Sequence, residues 1–159
     1  MNVRALIAAL PLFLATCSGP ERLLPDALGG MNRVAAVVGD EAQDRVDKLH
    51  GKTVAPDEVA VGEYAGSDGK ATLYVSAYRS PLEAGEIETR MTMVMRKGGS
   101  PFTGVRERQV NGRSVKTCTG FGQVHFLFSW GDNLYWLASD PAAADEAVSA
   151  LVLATARPS

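Results

Sequence analysis

Gln123-Val124-His125-Phe126-Leu127-Phe128-Ser129-Trp130, then Gly131-Asp132-Asn133, then Leu134-Tyr135-Trp136-Leu137-Ala138-Ser139 is the most informative run of this 159-residue chain. Two arms rich in aromatic and branched side chains are joined by a small polar link, the pattern of a β-hairpin. A three-residue loop with Asn133 left-handed would put Val124, Phe126, Phe128 and Trp130 on one face with Leu134, Trp136 and Ala138. That face is expected to be the aromatic centre of the core, and the same register sets His125 opposite Ser139.

Two further hairpins lie upstream. Asn111-Gly112 suits a type I′ turn, whose central residues both need positive φ. Glu107 then faces Lys116, Val105 faces Cys118, and Arg106 and Arg108 share the other face with Val115 and Thr117. Asp68-Gly69 turns residues 59–66 onto residues 71–79, with Tyr64 opposite Leu73 and Gly62 opposite Val75. Gly120-Phe121-Gly122 reads as a hinge between the later hairpins.

Helical spacing fills the gaps. Residues 81–97 carry Ala84, Ile87, Met91, Val94 and Met95 as one stripe, opened by Pro81 and closed by Gly98. Residues 40–50 place Ala42, Val46, Leu49 and His50 together, with Asp40 as cap and Gly51 as stop, after a short strand or turn at 31–38. A last helix begins at Pro141 under an Asp140 cap, with Ala144, Val148, Leu151 and Val152 inward. The expected fold is α+β: an antiparallel sheet built from three hairpins, with helices packed on one face.

Composition bounds the rest. With 46% apolar and 21% charged residues the chain is one globular module and not a disordered one. A net charge of −2 argues against a nucleic-acid partner, and two cysteines exclude a disulfide scaffold or a four-cysteine metal site.

The N-terminus carries an address. Arg4 is followed by an uncharged apolar run through Ala15, the charged and apolar regions of a secretory signal. That run is too short for the roughly 20 residues of a membrane-crossing helix. Leu14-Ala15-Thr16-Cys17 resembles the processing box of bacterial lipoproteins, in which an aliphatic residue and two small ones precede a cysteine that is diacylated and becomes the new N-terminus. Thr16 stands where that family places Gly, Ala or Ser. The resemblance implies lipidation at Cys17, and Ser18 after it implies delivery to the outer membrane in a Gram-negative cell; cleavage without lipidation would release a soluble exported protein. The domain plan is then a signal peptide at 1–16, a lipidated tether at 17–30 and one α+β domain at 31–159. Leu24-Pro25, Leu28-Gly29-Gly30, the Tyr64 strand and the late aromatic hairpin are similar in spacing to exported bacterial domains of unknown function.

Candidate chemistry is sparse. Met91, Met93 and Met95 would converge on soft Cu(I) from a strand but not from the helix expected there. His50 and His125 have no companions at ligand spacing for a metal or haem. Cys118 has Lys116 and His125 nearby but no elbow, so it reads as an inert buried thiol. Glu86 with Glu88, and Asp44 with Asp47, sit on solvated helix faces. Charge is segregated instead: residues 40–68 hold eight acids against three bases, and residues 90–116 hold seven bases against one acid. An anionic partner, a lipid headgroup or a wall polymer, would dock near Arg106, Arg108 and Arg113. The expectation is a noncatalytic binding or scaffold module of the cell envelope, needing no cofactor, with its membrane and an envelope protein or ligand as partners. The alternatives are a small periplasmic hydrolase or redox enzyme, and a copper or haem carrier.

Overall fold

The computed structural model of the protein describes residues 19–50 and 56–156; Cys17 and the Gly51 helix stop lie outside them. After a 3-10 turn at Pro20–Leu23, eight strands follow in chain order: β1 (Ala27–Leu28), β2 (Met31–Val38), β3 (Glu58–Gly66), β4 (Gly69–Ala77), β5 (Thr103–Val110), β6 (Arg113–Gly120), β7 (Gln123–Trp130) and β8 (Asn133–Ser139). Helix α1 (Asp40–His50) links β2 to β3, α2 (Pro81–Arg96) links β4 to β5, and α3 (Ala144–Thr155) ends the described chain. All strands join one antiparallel sheet in the order β1-β2-β3-β4-β8-β7-β6-β5.

The α+β class holds, and the finer layout differs from expectation. In place of three separate hairpins, β5 to β8 run as one meander, β1 and β2 extend the other edge, and helices cover both faces. Alternate residues along each strand sort the core into two layers. Leu73, Val75, Phe126, Phe128, Tyr135 and Leu137 meet Ala147, Val148 and Leu151 of α3. Leu127, Leu134 and Trp136 meet Met95 of α2, and Val59 and Val61 meet Ala42 and Val46 of α1. The apolar content of β7 and β8 on both faces is what makes two covers necessary, as in strands buried on each side.

Turn geometry corrects the two outer registers. Trp130 pairs with Asn133, so the third hairpin turns through Gly131-Asp132 alone, with positive φ only at Gly131. Glycine at the first central position favours a two-residue turn, and one residue less in the loop sends Leu134, Trp136 and Ala138 to the opposite face from Phe126 and Phe128. His125 accordingly lies across from Ala138, not Ser139. In the first hairpin Gly66 pairs with Gly69, so Ser67-Asp68 form the turn and Tyr64 sits opposite Ala71. Its tip is held by Asp140, whose carboxylate accepts from the Lys70 N–H at 2.9 Å while its own N–H donates to Lys70 O at 2.9 Å. With that carboxylate engaged, α3 starts at Ala144 without a side-chain cap.

The middle hairpin keeps its expected turn, with Asn111 and Gly112 both at positive φ and Glu107 opposite Lys116. A bulge between Thr103 and Arg106 removes the expected Val105–Cys118 pair. The Gly120-Phe121-Gly122 hinge is a tight turn, with Phe121 itself left-handed at φ 54°. Helix α2 is capped by Ser80, whose hydroxyl accepts from the Glu83 N–H, and its stripe buries Ala84 and Met95 but leaves Val94 exposed.

Of the expected tether, the part from Pro20 onward belongs to the domain. Leu24 and Leu28 are buried, and the Tyr64 hydroxyl donates to Pro25 O at 2.8 Å. That ring lies back over Gly62, where a Cβ would stand 2.8 Å from Tyr64 Cε2. The lack of a side chain at Gly62 is thus what lets the tyrosine reach and pin the N-terminal segment.

Candidate functional site

Arg106, Arg108 and Arg113 fall on one face, the face covered by α3, because residues two apart on a strand point the same way and Arg106 and Arg108 stand across from Thr117 and Val115. They do not form one cluster. Arg106 is exposed and, with Arg108, lines a groove of about 360 Å³ beside the start of α3, floored by Phe126 and Val124 and edged by Pro141 and Asp145. Arg108 lies over the Phe126 ring at 5.1 Å and donates to Asp145 Oδ1 at 2.7 Å, while its Nε is buried and has no partner.

Arg113 is committed elsewhere. Its guanidinium stacks on Trp130 at 3.8 Å, borders Phe128 at 5.5 Å, and donates to Thr155 Oγ1 at 2.6 Å, tying the start of β6 to the last turn of α3. Burial lowers its pKa from the ordinary value. Trp130, half exposed, lines two further clefts that the sequence did not single out. One, about 570 Å³, lies between the N-terminal segment and the end of α3, lined by Arg22, Leu23, Asn133, Tyr135 and Thr155. The other, about 580 Å³, is lined by Glu88, Asn111, Lys116 and Ser129. Burial raises the Tyr135 hydroxyl to about 12. The signal for these clefts was an aromatic residue at a strand end beside a tight turn.

The segregated charges stay apart. The acidic stretch builds α1 and β3 and the basic one supplies β5, β6 and the end of α2, with β4, β8 and β7 lying between β3 and β6 in the sheet. Arg45 pairs with Glu41 and Glu63 inside the acidic region, and Lys116 pairs with Glu107 and Glu88 on the basic side. Hydrogen bonding from Ser114 and Lys116 holds the Glu107 carboxyl below its usual range.

The other candidates resolve individually. Cys118 and His125 are direct cross-strand neighbours. The thiol is buried and pushed up to about 11, and both imidazole nitrogens are engaged: Nε2 lies 3.0 Å from Gly120 O, and Nδ1 accepts from the Trp136 indole N–H at 3.1 Å. Such a ring has no free lone pair for the thiol proton, and burial lowers its pKa further. Met93 is exposed while Met95 is buried, so the helix separates the three sulfurs. His50 bonds Val46 O at 2.8 Å through Nδ1. No helix among the described residues is long and apolar enough to cross a membrane. Compared with known proteins, the chain matches no family model, no curated protein and no solved structure.

Proposed function

We propose that the chain is an exported lipoprotein, anchored through Cys17, whose domain is a noncatalytic module that holds an anionic polymer of the cell wall in the groove between β5 and α3. The leader and the Leu14-Ala15-Thr16-Cys17 box support the address. The observation that carries the binding reading is the groove itself, which brings the exposed Arg106 and the Asp145-held Arg108 together over an apolar floor of Val124 and Phe126. An anionic oxygen entering the groove would meet Arg106 and the outer guanidinium nitrogen of Arg108 that now holds Asp145. Asp145 then acts as the displaceable counter-ion that keeps Arg108 oriented when the groove is free.

The test has two arms. Growth with a fatty-acid probe should label the wild type and not Cys17→Ser, which should leave the membrane fraction. Calorimetry of the full chain with a polyphosphate probe at low salt should show Arg106→Ala and Arg108→Ala each weakening binding about tenfold, equivalent to about 1.4 kcal/mol. Asp145→Asn should strengthen it. Equal affinity in all four proteins would refute the anion reading without touching the anchor.

A further inference from the structure

The opening turn of the described chain reaches one pole of the sheet through the Arg22 side chain. The register places Glu58, Ala77, Asn133, Trp130 and Arg113 in one row at the strand ends. Arg22 reaches this row through Glu58 at 2.9 Å, and Thr155 reaches it through Arg113. Tyr78 N–H donates to Asp132 O at 2.8 Å, so the start of α2 rises from the same end. Three large apolar side chains stand exposed around it: Leu82 on the first turn of α2 at 72%, Trp130 at 51% and Leu153 on the last turns of α3 at 53%.

We infer that this pole is a membrane-contact surface, with Trp130, Leu82 and Leu153 entering the headgroup region of the bilayer that holds Cys17. The inference rests on the anchoring proposed above. Cys17 is two residues from Gly19, and two residues span at most about 7 Å, so an acylated Cys17 holds the opening turn, and the row that Arg22 reaches, close to the lipid surface. Tryptophan favours that depth because its ring is apolar and its N–H polar. Arg113, stacked on Trp130, supplies a cation at the level of the lipid phosphates. Arg22 and Arg79 are answered by Glu58 and Glu83, so apolar insertion rather than net charge carries the contact.

The chain has two tryptophans, and Trp136 is buried under Phe102 and His125, so Trp130 alone can report. The acylated full chain would be reconstituted into phosphatidylcholine vesicles whose acyl chains are brominated near the headgroup, with the fatty-acid label measured on the same sample. The expected result is at least a twofold loss of the Trp130 contribution in the wild type, little quenching in Trp130→Phe, and about half the effect in Leu82→Ser with Leu153→Ser. A labelled protein whose emission is untouched by the brominated lipid overturns the contact and leaves the anchor standing. Equal quenching in Trp130→Phe, or undiminished quenching in the double serine variant, overturns it as well. A chain without acyl label removes the anchor, and the inference falls with it.

Discussion

His125 enters the core as a neutral ring, and its two hydrogen bonds say why. Nε2–H is placed to donate to Gly120 O, and the indole of Trp136 donates to Nδ1; a second ring proton would break the latter. Burial also lowers the folded pKa below the ordinary value near 6.5. The stability contributed by the neutral ring is therefore complete above the unfolded pKa and is lost as pH falls through 6.5 toward the lower folded value, about 1.4 kcal/mol for each unit of depression. Urea unfolding between pH 7.5 and 5.5 should show a falling midpoint in the wild type and a flatter profile in His125→Gln. Parallel profiles would remove His125 as the cause. A satisfied or half-exposed histidine was legible from its lack of companions at ligand spacing. Its bond to Trp136 was not, because that contact needs Trp136 on the same face, and a single residue in the Gly131-Asp132 turn decides the face.

Among elements, the turns carry what composition hides. The β5–β6 and β6–β7 turns both place two successive residues at positive φ, one with Asn111-Gly112 and the other with Phe121-Gly122. Asparagine tolerates that region; phenylalanine is strained there, by about 1 kcal/mol or more, and Phe121 is also 74% exposed. Its compensation is an edge-on contact with Phe102 at 5.8 Å. Phe121→Asn should raise the unfolding free energy by about 0.5–1 kcal/mol in denaturant titration, less if the Phe102 contact is worth more than the strain. A clear loss of stability would show that the aromatic contact dominates. The sequence marked the turns near Asp68-Gly69, Asn111-Gly112 and Gly131-Asp132 and the helices at 40–50 and 81–96, since apolar period and Gly, Pro and Asn punctuation are local signals, but it took the β6–β7 turn for a hinge. Registers next to Asp68-Gly69 and Gly131-Asp132 were missed because two turns fit each string. The choice between them is made by distant contacts, the Asp140–Lys70 pair in one case and the two helical covers in the other.

At the scale of the whole molecule the covers matter most. Leu24 and Leu28 looked like part of a leash because Pro20, Pro25 and Gly29-Gly30 surround them, yet a sheet apolar on both sides leaves α3 too narrow to cover one of them alone. The N-terminal segment completes that layer, and its seam with α3 is the cleft beside Trp130. Arg106 and Arg108 were recognisable as a pair from strand alternation; their separation from Arg113 was not, because it depends on where α3 ends. The two regions divide the labour proposed for the chain, with one pole against the lipid and the groove at the start of α3 held away from it.

The meeting of the opening turn and the closing helix on a single cleft has a consequence for chain connectivity. Arg22 and Thr155 line the same cavity, so a short glycine-serine splice between the described ends would bridge them without disturbing the sheet. New ends cut between Phe121 and Gly122 would relieve the left-handed phenylalanine at the same stroke. Such a circular permutant should fold with the parental circular dichroism spectrum and a melting temperature within a few degrees of the parent, while displaying its free ends at the opposite extremity, where a reporter could be attached clear of any bilayer. Collapse of the permutant would mean that the order of synthesis, and not only the final packing, is built into this architecture.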